Sequence, residues 1–317
     1  MILINPPVNH VNFQYVIPAT ANGREETQQL QAYMTTEKNP IAIIKPTSTV
    51  LFAKPAPLLA VFSMGPNMIN PNIMKPDITA PGLNISAAWS PVSTRSTGEQ
   101  SVDFNIISGT SKSCPHVSAV PAIIKSVHPS SSPAGIKSAI MTTGKSSLKE
   151  TYRPTTPFDY GSGHINPVAA VDPRLIYDFD SNDIIDFLCS SSSTPSPIVN
   201  LTGEVVSCKY PPTPSYDFNY PSIGVSNMSG SLAVHRTVTY YGKVLTVYHS
   251  QVDYPSGVKV TVTLNKLKFS KTGEKMCFRI DMRPYKSSNG SFVFGALTWS
   301  NCIHRVRSPI GINVLSV

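Results

Sequence analysis

The residues Gly109-Thr110-Ser111-Lys112-Ser113-Cys114-Pro115-His116 bring a hydroxyl, a thiol and an imidazole together just ahead of an apolar run: Val117, Ala119, Val120, Ala122, Ile123, Ile124 and Val127. A small, flexible lead into a helix N-terminus is where a serine hydroxyl gains most as a nucleophile, because unpaired backbone N–H groups and the positive end of the helix dipole lie beside it. Ser111 holds that place. The same residue types also cap helices, and on local chemistry alone Thr110 or Ser111 reads first as an N-cap.

The elements that would carry this segment follow from patterning. Between about 49 and 180, apolar strand-like pieces alternate with helical ones, as in an α/β domain. Ser132-Pro133 is an N-cap followed by an N1 proline, and Ile136, Ala139 and Ile140 repeat at helical spacing behind it. Ser181 stands in the same relation to Ile184, Ile185 and Leu188. The run from Ser190 to Pro197 breaks all periodicity and reads as a linker. Beyond about 218 the period changes to two. Val258, Val260, Val262 and Leu264 alternate with polar residues and are expected on one face of a half-buried strand. Further strands are expected at 237–240, 244–247, 276–280, 292–299 and 305–314, with turns at Pro255-Ser256-Gly257, Lys271-Thr272-Gly273 and Ser288-Asn289-Gly290, so the last hundred residues should form a β-sandwich. Residues 1–48 hold only short apolar runs.

Composition narrows the function classes. Charged residues are 14% of the chain against a usual ~25%, so solubility rests on Ser, Thr and Asn, a balance typical of extracellular glycoproteins. The net charge is +8, but the basic residues are scattered, which argues against nucleic-acid or membrane-surface partners. No apolar stretch approaches the ~18 residues of a membrane span, and the four-residue apolar run near Met1 is too short for a signal-peptide core. The five cysteines are too widely spaced for a zinc site, and no cofactor or metal is expected. Cys189 and Cys208 flank the polar linker and would form a disulfide in an oxidising compartment, leaving Cys277 and Cys302 as thiols in or beside strands. Asn-x-Ser/Thr sequons begin at Asn84, Asn200, Asn227 and Asn289.

Ordered blocks now outweigh the capping reading of Ser111. Gly109–His116 resembles the GTSM(S/A)xPH block around the nucleophile of subtilisin-like serine proteases, and in the plant subtilases, the cucumisin-like group, that block continues into a segment similar to His128-Pro129 and Ser132–Thr143. Pro55–Asn67, Lys75–Pro91, Phe158–Asp178 and Ser181–Cys189 resemble further blocks of the same family. Asn219-Tyr220-Pro221-Ser222-Ile223, Gly257–Gly273 and Thr298–Val314 resemble its terminal fibronectin-III-like domain. The resemblance implies an α/β fold, the C-terminal half of a subtilisin-like catalytic domain (49–180), then a helix and linker (181–217) and an all-β fibronectin-III-like sandwich (218–317). Residues 1–48 resemble the tail of a protease-associated domain and the return segment from it. It also implies a secreted endopeptidase acting on polypeptides, with Ser111 as catalytic nucleophile.

The family orders its triad Asp, His, Ser, with an oxyanion-hole Asn before the protease-associated insert. Neither the Asp block (D-T/S-G) nor the His block (H-G-T) occurs in the chain, and none of the seven histidines precedes a glycine. His116 is expected to point back along its helix, away from the nucleophile. Cys114 is expected as a small buried residue, and Asp77 as a carboxylate that positions neighbouring backbone. Lys112 stands where the family usually has Met, Ala119 where Gly is usual, and the FSSRGPN block is shortened to Phe62–Asn67. Pro121 should cost its helix ~3 kcal/mol or a kink. Two readings follow: a serine endopeptidase, or a truncated, non-catalytic pseudo-protease whose fibronectin-III-like domain survives as a protein-interaction module.

Overall fold

A computed structural model describes residues 2–4, 17–46, 48, 51–52, 57–63, 70–93, 102–145, 154–191 and 196–317. The Met64–Asn67 end of the shortened block and the Ser192–Pro195 centre of the polar linker lie outside them. The chain divides into two units, one of residues 1–63, 81–116 and 149–153, the other of residues 64–80, 117–148 and 154–317.

In the first unit β1 (Ile2–Ile4) pairs in parallel with β2 (Thr20–Asn22), and α1 (Arg24–Thr36) follows with Glu25 and Glu26 in its first turn, where carboxylates suit the helix dipole. β3 (Ile85–Ala88) and β4 (Phe104–Ile107) form an antiparallel pair with Ile85 opposite Ile107. Only Ser108 and Gly109 separate β4 from α2 (Thr110–Val127), whose first turns belong to this unit.

The second unit opens on helices whose starts are set by side-chain caps. α3 (Pro133–Thr142) begins as the sequence implies, with Ser132 Oγ accepting from the Gly135 N–H at 2.9 Å. α4 (Pro157–Tyr160) carries a Thr156/Asp159 capping box, and α5 (Pro167–Val171) is capped by Asn166. A two-residue strand, β5 (Leu175–Ile176), precedes α6 (Ser181–Ser191) and α7 (Ser196–Thr202). The cap of α6 is Asp180 rather than Ser181. Its carboxylate accepts from the N–H groups of Asn182 and Asp183, and Asp183 returns the bond to the Asp180 N–H. A charged acceptor at that position outcompetes the hydroxyl one residue on. The polar stretch thus lies between two helices, and the Cys189–Cys208 disulfide ties α6 to the chain beyond α7.

Eight strands follow: β6 (Ile223–Ser229), β7 (Leu232–Tyr240), β8 (Thr246–Asp253), β9 (Val258–Thr263), β10 (Lys266–Phe269), β11 (Lys275–Pro284), β12 (Val293–Ser300) and β13 (Arg305–Ser316). They form a five-stranded sheet, β10-β8-β12-β13-β6, and a four-stranded sheet, β5-β7-β11-β9. Every pairing is antiparallel except β13 with β6. Both sheets contribute to one core in which Trp299, Tyr248, Phe269 and Phe278 are fully buried, and the Trp299 and Phe278 rings meet edge-on at 5.0 Å. Val258 and Val260 enter that core as the alternation requires. Leu264 does not: β9 stops at Thr263, and Leu264 takes φ +64° and is exposed. The backbone turns there toward β10, which resets the face.

A second core joins Val120 and Ile124 of α2 to Ala139 and Ile140 of α3, with Ile165, Ala170 and Ile176. β5 links the two cores. Successive side chains in a strand face opposite ways, so Leu175 and Tyr177 lie in the sandwich core while Ile176 lies under the helices. The β-sandwich therefore borrows a strand from the α/β segment before it.

Candidate active site

Ser111 is the second residue of an 18-residue helix and its side chain is exposed. The approach to it is built from backbone contacts that only small residues permit. Ser108 Oγ accepts from the Asn84 N–H at 2.8 Å and donates to Asn84 Oδ1 at 3.3 Å, which pins the end of the β3–β4 pair. The Gly109 N–H donates to the Gly82 carbonyl at 2.8 Å, and the Lys112 N–H donates to the Gly109 carbonyl at 3.0 Å, closing the first turn. Gly109 adopts φ +152°. A Cβ on Gly82 would stand 2.3 Å from Ser113 Oγ and 3.0 Å from the Gly109 carbonyl oxygen, so a side chain there would push the Ser113 hydroxyl aside and crowd the Gly109 carbonyl. The capping reading is corrected: α2 already begins at Thr110, so the residue before it is Gly109, and neither Thr110 nor Ser111 is the cap.

The neighbours of Ser111 are now placed. His116 Nδ1 is 2.8 Å from the Lys112 carbonyl, one turn back along the same helix, so its ring lies against its own backbone. Among the described residues no histidine or carboxylate is hydrogen-bonded to Ser111 Oγ. Cys114, expected inside, is exposed, because the first two turns of α2 bury nothing before Val120. Lys112 is half-buried. The helix runs unbroken through Pro121. Val120 and Ile124, on the inner face, anchor it to α3, and Lys125 Nζ donates to the carbonyls of Pro129 and Ser131 just beyond its end.

Asp77 does different work from the backbone positioning expected of it. Its carboxylate accepts from Lys75 Nζ at 2.7 and 2.8 Å, from Tyr220 Oη at 2.5 Å and from Lys137 Nζ at 3.4 Å. Burial pushes the Asp77 carboxyl up, but the ammonium groups of Lys75 and Lys137 and the bonds from Lys75 and Tyr220 more than reverse this, holding it below its ordinary value. Tyr220 is driven up by burial and by the Asp77 charge, so it stays a phenol and a donor. The cluster fastens the Lys75–Asp77 segment and α3 to the start of the sandwich.

A second fastener escaped the sequence reading. Arg236 is only 2% exposed and donates to four backbone carbonyls, those of Tyr220, Tyr216, Ser222 and His235. Burial pulls its guanidinium down to about 10. The signal was available: strand alternation puts Arg236 on the same face as Val234 and Val238, both fully buried.

Residues 11–163 match the subtilase family and residues 217–312 the fibronectin type-III domain. The chain is 60% identical to "Subtilisin-like serine-protease S" of Lotus japonicus over all of its own length and 43% of that protein. It is 41% identical to "Subtilisin-like protease SBT5.4" of Arabidopsis thaliana over 95% of the chain and 40% of that protein. It is 40% identical to the "CO(2)-response secreted protease" of the same plant, over 93% of the chain and 41% of that protein. The chain thus spans less than half the length of these relatives.

Proposed function

We propose, from the premise that this chain belongs to the subtilase family of serine proteases, that it serves peptide-bond hydrolysis with Ser111 as the nucleophile. In this reading Ser111 Oγ attacks the scissile carbonyl, and the Ser111 backbone N–H donates one hydrogen bond to the oxyanion that forms. The observation that carries it is the exposure of Ser111 on the first turn of a long helix, behind a Gly82–Gly109 contact that holds the turn in place. A base to take the hydroxyl proton and a carboxylate to orient that base complete the chemistry. The substrate is a polypeptide and the compartment extracellular; the relative named as secreted and the Cys189–Cys208 bond support the second point. Residues 1–48 serve as the tail of a protease-associated domain and the return from it.

A second reading rests on the surroundings of Ser111. The 317 residues contain no Asp or His block of the family, and His116 is turned onto the Lys112 carbonyl. By itself this polypeptide is then a non-catalytic module that acts through its sandwich. A fluorophosphonate probe separates the two. The 317-residue chain is expected to label no more than its Ser111→Ala variant, because serine without a base is a poor nucleophile. Stoichiometric labelling lost in the variant would show that another group activates Ser111 and would remove the second reading.

A further inference from the structure

The cavity between the end of α3, the α5 segment and the β12–β13 turn is cationic. It measures about 680 Å³, within the usual range of ligand pockets, and Lys145, His304, Arg305 and Arg307 all line it. One carboxylate, Asp172, shares the wall. That carboxylate is already engaged, by Arg174 Nη2 at 3.0 Å and by His304 Nε2 at 3.2 Å. Among the described residues, the lysine and the two arginines then have no further carboxylate in the cavity lining, although Asp253, outside it, lies close enough to act on Arg307.

Arg307 sharpens the point. Its Nη1 is buried and has no hydrogen-bond partner among the described residues, and the same holds for His304 Nδ1. Both atoms are shut off from solvent and do not face the open cavity, so it is the rest of the Arg307 side chain, beside Arg305 and Lys145, that an anion there would meet. Burial pulls the Arg307 guanidinium down and Arg305 adds like-charge repulsion, against a partial opposing pull from Tyr160 and Asp253. At the mouth, Val168 and Ile303 are 86% and 83% exposed, an apolar rim beside the charges.

We propose that this cavity binds an acidic polypeptide segment, with a Glu or Asp carboxylate seated between Arg307, Arg305 and Lys145 and a neighbouring aliphatic side chain on Val168 and Ile303. The volume exceeds a single small anion. Among the described residues no Phe, Tyr or Trp ring lines the cavity, so an acidic sugar would lack the broad stacking face such a ring gives, whereas the aliphatic rim suits a peptide. The site uses none of the residues around Ser111, and its occupancy does not depend on catalysis.

The test is fluorescence anisotropy with the full 317-residue chain and a labelled peptide, Leu-Glu-Val-Glu-Gly, beside its Leu-Gln-Val-Gln-Gly counterpart. The acidic peptide is expected to saturate the protein, to bind about tenfold more tightly than the Gln peptide, and to weaken as salt is raised. Arg305→Gln and Lys145→Gln change exposed side chains and should each weaken binding roughly threefold at unchanged Tm. Arg307→Gln should weaken it most, and if that variant fails to fold the two exposed variants decide. Equal binding of the two peptides, or indifference to Arg305→Gln and Lys145→Gln, would overturn the proposal. So would displacement of the peptide by trigalacturonate or inorganic sulfate at concentrations equal to or below those of the unlabelled peptide, since the site would then be one for an acidic glycan or a simple anion.

Discussion

The side-chain carboxamide of Asn219 takes the place of a neighbouring strand beside Thr237: Oδ1 accepts from the Thr237 N–H at 2.9 Å and Nδ2 donates to the Thr237 carbonyl at 2.9 Å. The same Nδ2 reaches the Asp178 carbonyl at 2.7 Å. On this edge β7 meets a true strand only at Thr239 and Tyr240, through β5. Two residues earlier, the His235 N–H donates to Asp217 Oδ1 at 2.6 Å. Side chains from 217–219 thus close an edge that would otherwise present unpaired backbone groups.

Asn219→Ala should leave the Thr237 N–H and carbonyl short of partners and lower stability by ~1–3 kcal/mol. Asn219→Asp keeps the acceptor and loses the donor, so it should be destabilised as well. Urea unfolding of the three proteins checks this. An Asn219→Ala midpoint equal to that of the parent would mean that water or another group satisfies the edge.

Leu175 is fully buried in the sandwich core although it precedes that domain by more than forty residues. Leu175→Ala should cost ~2–5 kcal/mol by opening a cavity there. A fragment starting at residue 172 should melt well above one starting at 215, each with a β-rich circular dichroism spectrum. Equal melting temperatures would show that the sandwich is independent of β5.

The Asp77 carboxyl is held below its ordinary value in the folded protein, so the stability it confers is present above the unfolded carboxyl pKa, about 3.9, and is lost as pH falls through the lower folded value. Thermal melts from pH 6 down to pH 2 should show the parent losing more Tm than Asp77→Asn, whose amide does not titrate. Parallel curves for the two would remove Asp77 as a source of acid sensitivity.

Reducing the Cys189–Cys208 bond, which spans 19 residues of sequence, should destabilise the protein by ~3 kcal/mol if restriction of the unfolded chain dominates. Non-reducing peptide mapping of secreted material should join these two cysteines and leave Cys277 and Cys302 as thiols. A Cys189 found free, or joined elsewhere, contradicts the pairing.

Patterns of short range were legible in the sequence. The period-two repeats announced β9, β11, β12 and β13 because each strand has one face in a common core, and Ser132-Pro133 announced α3 because cap chemistry is local. The block around Ser111 announced the start of α2, and the flanking cysteines their own bond. What only the tertiary structure decided are relations between residues far apart in the chain. Asp77 meets Tyr220 across 143 positions, and Asn219 stands in for a strand. Gly82 packs against Ser113 and the Gly109 carbonyl, and Leu175 and Ile176 divide between two cores. Local propensity is blind to these because each depends on which backbone group is left unpaired, or which surface left uncovered, once the sheets and helices have packed. The cationic cavity belongs with them: Lys145 and Arg307 are 162 positions apart in the sequence, and folding alone brings their charges to one wall.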